Sequence, residues 1–421
     1  MTESSIYGIW LQQALGEGNR KASELVSYFG SCKNVFEADD VELKLSGLVR
    51  MEDIDRLLST SIDTAEEIME SCNRLGYRII TSDDDNYPDR LRNIPDFPVA
   101  LYYTGEWPDV DNEVIIAMVG TRIASRYGYS MATDISKNLA ACGAIVISGC
   151  ARGIDTASHQ GAIMAGGKTL GVLGCGINTN YNMANEGLRK VIETSGALIT
   201  EYPPGTPPLG YHFPVRNRII SAMSLGVIVV EAGEKSGSLI TATLALDQGK
   251  DIFAVPGEIG HPSSEGTNRL ISQGAKPVGS AYDVLEEYTT LFPHRLRSVN
   301  LFNRNPIVQE THARPKWARL PKSVSPPETY APGKQRKTSS QKPPAPEPEP
   351  TPESESESYN PPIGMSKPAQ RLRNALGSAP KRFGDLLTEL DMEPSELSRC
   401  ITELELYGVI KSLPGNKYCR N

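Results

Sequence analysis

The chain has 421 residues, with 43 Lys and Arg against 51 Asp and Glu, a formal net charge of -8. That length predicts two or three domains, and the charge excludes a wholly basic nucleic-acid-binding chain while leaving room for a local basic groove. The N-terminus lacks a basic region followed by an apolar segment, and no apolar run approaches membrane-spanning length. The seven cysteines are scattered, with no Cys-x-x-Cys pair. Together these features predict reduced thiols and a soluble, cytoplasmic protein with no membrane partner and no metal centre.

Residues 1–77 read as a small helical domain. Ile6, Ile9, Trp10, Leu11 and Leu15 form one apolar stripe, Leu25, Val26, Tyr28 and Phe29 another, and Asp53 to Leu75 a third amphipathic helix. The turn Leu45-Ser46-Gly47-Leu48 has the form of a helix-hairpin-helix remnant, with a plain protein-contact module as the alternative. Residues 78–290 then alternate apolar runs with helical periodicity. Val114 to Val119 empties into Gly120-Thr121-Arg122, and Ala144 to Ile147 into Ser148-Gly149-Cys150-Ala151-Arg152-Gly153-Ile154-Asp155. Lys168 to Leu173 leads to Gly174-Cys175-Gly176, Val227 to Val230 to Glu231 and then Ser236-Gly237-Ser238, and Asp251 to Val255 to Pro256-Gly257. Buried parallel strands alternating with helices predict an α/β, Rossmann-type doubly wound parallel sheet, which binds ligands outside the carboxyl ends of its strands.

Composition breaks at about residue 291. Residues 291–365 are rich in Pro, Ser and charge, first basic and then acidic, and read as a disordered linker. Residues 366–421 carry three short helical segments, Gln370 to Leu376, Phe383 to Leu390 and Ser395 to Tyr407, followed by a hairpin around Pro414-Gly415-Asn416. Three helices and a terminal hairpin make a winged-helix pattern. Its third helix bears few basic residues around Arg399, which leaves DNA binding and protein docking both open.

The glycine and hydroxyl turns on one sheet edge suit a long anionic ligand, because small residues let backbone N–H groups face phosphates. Ser148, Gly149, Arg152, Gly153, Gly174, Ser236, Gly237 and Ser238 are the candidate donors. Arg122, and Arg216 and Arg218 on either side of Asn217, supply forked donors that match phosphate oxygens. A second reading stands beside this one, in which these arginines brace their loops by ion pairs with Glu201, Glu231 or Asp155. Phe213 next to the Arg-Asn-Arg run suits stacking on a base. His159, without an evident metal partner, reads as a packing or hydrogen-bonding residue.

Four motifs occur in order: Gly120-Thr121-Arg122, Ser148 to His159, Phe213 to Ser221, and Glu231-Ala232 with Ser236 to Ala242, Val255-Pro256-Gly257 and Gly266 to Ala275. Together they closely resemble the DNA-processing protein A family, also called DprA or Smf. The resemblance implies an extended Rossmann fold that binds single-stranded DNA, loads RecA onto it in natural transformation and recombination, and self-associates as a homodimer without a cofactor. Cys150 and Ser158 stand where leucine and alanine are usual in that family. Leu270 and Ile271, on a short helix near the far edge of the sheet, are the candidate dimer surface.

The rival class is an enzyme. Nucleotide-cleaving phosphoribohydrolases of the LOG type share this Rossmann variant and use a Pro-Gly-Gly-x-Gly-Thr-x-x-Glu run. Here Glu258 replaces the second glycine, and Asn268-Arg269-Leu270 after Gly266-Thr267 offers no carboxylate at the required spacing. The turn after the first strand is not Gly-x-Gly-x-x-Gly, and no Gly-x-x-x-x-Gly-Lys-Ser/Thr run is present, so neither a nicotinamide dehydrogenase nor an ATPase is expected.

Overall fold

A computed structural model describes residues 5–180, 186–296 and 366–420, the last stretch with gaps at 378–380, 391, 393, 407–408 and 414–416. The chain divides into two compact units, Met1–Ala318 and Arg319–Asn421. The expected linker lies outside the described residues except for 291–296.

The first unit opens with six helices, α1 (Ser5–Leu15), α2 (Arg20–Phe29), α3 (Cys32–Glu37), α4 (Asp40–Ser46), α5 (Met51–Ser59) and α6 (Ile62–Leu75). Their ends are written in the sequence. Asn19, Ser31 and Asp39 cap α2, α3 and α4 with side-chain oxygens, and Asp39 with Glu42 completes a capping box. The long helix expected from Asp53 to Leu75 is two helices, because Thr60 leaves the helical conformation and the Ser61 hydroxyl starts α6 by accepting from Asp63 N–H. The Gly47 turn is a left-handed C-cap of α4 at φ 67°.

The core then runs β1 (Arg78–Thr81), α7 (Asp89–Arg92), β2 (Ala100–Gly105), β3 (Ile115–Val119), α8 (Arg126–Ala141), β4 (Ile145–Ser148), α9 (Ile154–Met164), β5 (Thr169–Leu173), α10 (Glu186–Ser195), β6 (Gly196–Thr200), α11 (His212–Met223), β7 (Gly226–Val229), α12 (Gly237–Asp247), β8 (Asp251–Ala254), α13 (Glu265–Ser272), β9 (Lys276–Pro277) and α14 (Tyr282–Leu285). They form one nine-stranded sheet in the order β1-β2-β6-β5-β4-β3-β7-β8-β9. From β6 to β9 every pair is parallel, and β1 and β2 add an antiparallel edge. The doubly wound sheet is therefore as expected, with that antiparallel margin added to it. Every residue of β3 is buried, which is why it reads as a continuous apolar run rather than an alternating one. Successive strands step outward from β3 to β4, β5 and β6 on one side, and to β7, β8 and β9 on the other. The winding thus reverses between β3 and β7, where doubly wound sheets open a crevice.

The second unit is α15 (Lys367–Ala375), β10 (Lys381–Arg382), α16 (Phe383–Leu390), α17 (Pro394–Leu406), β11 (Ile410–Leu413) and β12 (Lys417–Arg420), with its sheet ordered β10-β12-β11. It is the winged-helix arrangement, built on a core that includes Leu372, Leu386, Leu397, Leu404 and Ile410. Arg399 on α17 is exposed.

Candidate functional site

The carboxyl ends of β5, β4, β3, β7 and β8 are neighbours in the sheet, so the turns that follow them form one rim. Five strands spaced about 4.8 Å apart make a row roughly 19 Å long, more than a mononucleotide needs. The turns are tied to one another. Ile154 N–H donates to Thr121 O at 3.2 Å, Thr121 N–H to Glu231 O at 2.8 Å, and the Tyr127 hydroxyl to Pro256 O at 2.9 Å.

Four cations stand exposed along this edge: Arg122 after β3, Arg126 in the first turn of α8, Arg152 after β4 and Lys235 after β7. Arg122 lies over the ring of Phe213, 5.4 Å from its centroid. Phe213 is half-buried in the first turn of α11 and lies against Gly174, where a Cβ would come within 3.0 Å of the ring. Gly153, at φ 76°, lets the β4 turn approach Arg122, whose carbonyl carbon would be 2.8 Å from any Cβ there. The fold thus brings Arg122, Arg152, Gly153, Gly174 and Phe213 together. Arg126 and Lys235 were missed by the sequence reading, since each resembles an ordinary solvated charge. Their signal is positional, because both lie at helix N-terminal ends that the parallel topology delivers to the rim.

Other expected phosphate donors are corrected by the structure. Ser148 is fully buried and its hydroxyl donates to Met118 O at 2.6 Å. Gly149 is buried because the guanidinium of Arg216 sits directly under it, so that a Cβ would lie 2.6 Å from Arg216 Nη2. Arg216, 4% exposed, donates to Gly149 O at 2.8 Å and also to Val172 O. Arg218, 3% exposed, is ion-paired with Glu201 at 2.8 Å and Asp96 at 3.2 Å. Burial works against the Arg218 charge, but Glu201 and Asp96 outweigh it and hold its pKa above the usual arginine value. From Arg216 onward α11 is buried on most sides, so its arginines must find acceptors inside the protein. Bracing is their structural role, and Asn217 is half-buried between them.

The turns are filled in the same way. The Asp155 carboxylate accepts from Ala151 N–H at 3.2 Å and also from Gly149 N–H, closing the β4 turn from within. Burial pushes the Asp155 carboxyl up, and Arg216 opposes the shift. The Asn268 side chain accepts from Gly257 N–H at 3.2 Å and donates to Gly257 O at 3.1 Å, closing the β8 turn. After β7, Ser236 caps α12. Its hydroxyl accepts from Ser238 N–H at 3.4 Å and pairs with the Ser238 hydroxyl at 2.8 Å, which leaves Ser238 buried and Gly237 exposed.

His159 is buried between Thr169 Oγ1 at 2.7 Å and Cys150 Sγ at 3.5 Å, a hydrogen-bonding role. Burial brings its pKa down to about 3 and pushes the Cys150 thiol up to about 12, so neither serves as a nucleophile or base near neutrality. All seven cysteines are buried and unbridged. Leu270 and Ile271 are half-buried on α13, which packs against β8. Among the described residues no cluster of His, Cys, Asp and Glu could hold a metal ion, and no helix is long and apolar enough to cross a membrane.

Comparison with known proteins agrees with this architecture. The family model described as DNA recombination-mediator protein A matches residues 78–289, and that of the DprA winged helix domain matches 341–416. Protein Smf of Escherichia coli is 40% identical over 249 residues, which span 59% of this chain and 66% of that protein. The DNA processing protein DprA of Streptococcus pneumoniae is 43% identical over 205 residues, 49% of this chain and 72% of that protein. The X-ray structure of DNA processing protein A from Streptococcus pneumoniae superposes with a TM-score of 0.60 at 34% identity, over 68% of this chain and 98% of that one.

Proposed function

This chain belongs to the DNA recombination-mediator protein A family, and from that premise we propose that it binds single-stranded DNA along the carboxyl rim of its sheet and acts there as a recombination mediator. The observation that carries this reading is the exposed row of Arg122, Arg126, Arg152 and Lys235 with Phe213 among them, spread over several strands rather than gathered in one pocket. Cations spaced along an edge suit successive phosphates, and an aromatic ring beside them suits an unpaired base, which a duplex would not offer. Phosphate contacts position without reading sequence, so little sequence preference is expected.

Two features weigh against the hydrolase alternative. Glu231 is committed to the start of α8, and the Pro256-Gly257 turn is closed by Asn268 rather than left open to a phosphate. The reading further includes loading of RecA onto the bound strand, during DNA uptake or recombination, by a homodimer joined through the α13 region.

The test is fluorescence anisotropy of labelled oligo(dT) against duplex of equal length across a salt series. The expected result is tight, salt-sensitive preference for the single strand; equal affinity for duplex would overturn it. Nucleation of RecA on strand coated with single-strand-binding protein tests the mediator role. Sedimentation of a Leu270→Glu, Ile271→Glu double variant tests the dimer surface, which is wrong if the variant sediments as the wild type does.

A further inference from the structure

In a doubly wound sheet the crevice between the strands where winding reverses, here β3 and β7, is where a nucleotide phosphate meets the N-terminus of the following helix. In this protein that position already holds an anion, and the anion belongs to the protein. Glu231, at the end of β7 and 4% exposed, directs its carboxylate to the start of α8. Its Oε2 accepts from both Ser125 N–H and the Ser125 hydroxyl at 3.0 Å, and the same hydroxyl accepts from Gly128 N–H at 3.0 Å. The fit is close, since a Cβ on Gly128 would lie 1.9 Å from Glu231 Oε2. The second oxygen, Oε1, is buried with no hydrogen-bond partner among the described residues. A carboxylate held in this way costs desolvation that its hydrogen bonds and the α8 dipole only partly return.

We propose that Glu231 is a specificity-determining residue: it occupies the phosphate seat of the α8 N-terminus, and so bars inorganic phosphate and mononucleotides from the crevice. Any phosphate entering would have to displace the carboxylate or sit beside a buried like charge. The ligands left to the rim are those held from outside by the exposed cations, which is how the inference deepens the polymer-binding reading on which it rests. It also gives a reason for a buried acid at the head of the crevice: Glu231 satisfies donors that a bound phosphate would otherwise satisfy.

The test titrates inorganic phosphate and AMP into the full-length protein, following heat and the Ser125 amide resonance, with oligo(dT) binding measured in parallel. The wild type is expected to show no saturable response at Ser125. Glu231→Ala is expected to gain phosphate binding of at least tenfold, reaching a dissociation constant on the order of 1 mM, with the Ser125 amide shifting as it fills. A wild-type Ser125 amide that titrates with phosphate overturns the proposal without recourse to any variant. So does a folded Glu231→Ala protein that gains nothing. Should the alanine variant fail to fold, Glu231→Gln keeps an oxygen on Ser125 while removing the charge, and it must bind phosphate measurably more tightly than the wild type for the proposal to stand. If phosphate binding appears in the variant while neither protein binds oligo(dT), the inference holds and the rim reading falls. If both bind oligo(dT) and neither binds phosphate, the reverse follows.

Discussion

Arg122 and Arg218 belong to motifs that meet at one edge of one sheet, yet they lie in regions with opposite chemistry. On the surface of the rim, Arg122 is exposed over Phe213, with Arg126, Arg152 and Lys235 along the same edge. In the layer beneath, Arg218, Arg216, Asp155 and Ser148 are buried and spend their ion pairs and hydrogen bonds on Glu201, Asp96, Gly149, Val172, Ala151 and Met118. The outer layer offers charge to a ligand, whereas the inner layer holds the turns in shape. A glycine-rich turn is therefore no indication of an open phosphate site, because its donors can be satisfied from below.

This division is open to direct tests, and the largest expected effect lies in the inner layer. Arg218→Ala leaves Glu201 buried without its guanidinium and should cost about 3–5 kcal/mol of stability. Denaturant unfolding would show it as a lowered midpoint, while folded variant at low temperature should bind single strands nearly as well as the wild type. A large affinity loss with unchanged stability would erase the division. Phe213→Ala should weaken oligo(dT) binding by about 2 kcal/mol if a base stacks there, with thermal stability nearly unchanged because the ring is half exposed. Anisotropy beside a melting curve separates the two.

The inner layer should also respond to pH where the rim does not. His159 is held neutral down to about pH 3, whereas in the unfolded chain it titrates near 6.5. Its folded pKa is depressed, so the unfolded state takes up the proton first. Stability is complete above pH 6.5 and falls toward pH 3. The loss attributable to this residue between pH 6.5 and 5 is on the order of 2 kcal/mol. Denaturation midpoints across that range should fall in the wild type, and His159→Gln should remove this part of the slope whatever its absolute stability.

The smallest effects belong to single rim cations. Arg122→Ala should cost about tenfold in affinity and Lys235→Ala less, and each should reduce the slope of log affinity against log salt by about 0.7. An unchanged slope for both would remove the phosphate contacts from this edge.

Much of this molecule was legible in its sequence. The apolar runs around Ile116, Ile147, Val172, Ile228 and Phe253 are strands of the sheet, because fully buried parallel strands need apolar residues on both faces. The winged helix was legible in the same way, from helical periodicity and a turn between two short strands. The β1–β2 margin was not, since β1 is a four-residue edge strand and nothing local fixes that β2 runs antiparallel to β6, and the break at Thr60 and Ser61 was hidden by an apolar stripe that continues across it.

At the site, the sequence alone determined which residue types gather at the strand ends, and so that the edge is polar, glycine-lined and rich in arginine. Only the tertiary structure decided which of those arginines face water. Arg122 follows its strand in an open turn, whereas Arg216 and Arg218 enter a helix that the sheet, Glu201 and Asp96 enclose. Local spacing cannot register that difference. An exposed guanidinium and a buried, paired one have the same sequence signature, and what separates them is whether distant carboxylates and carbonyls are brought within hydrogen-bonding reach.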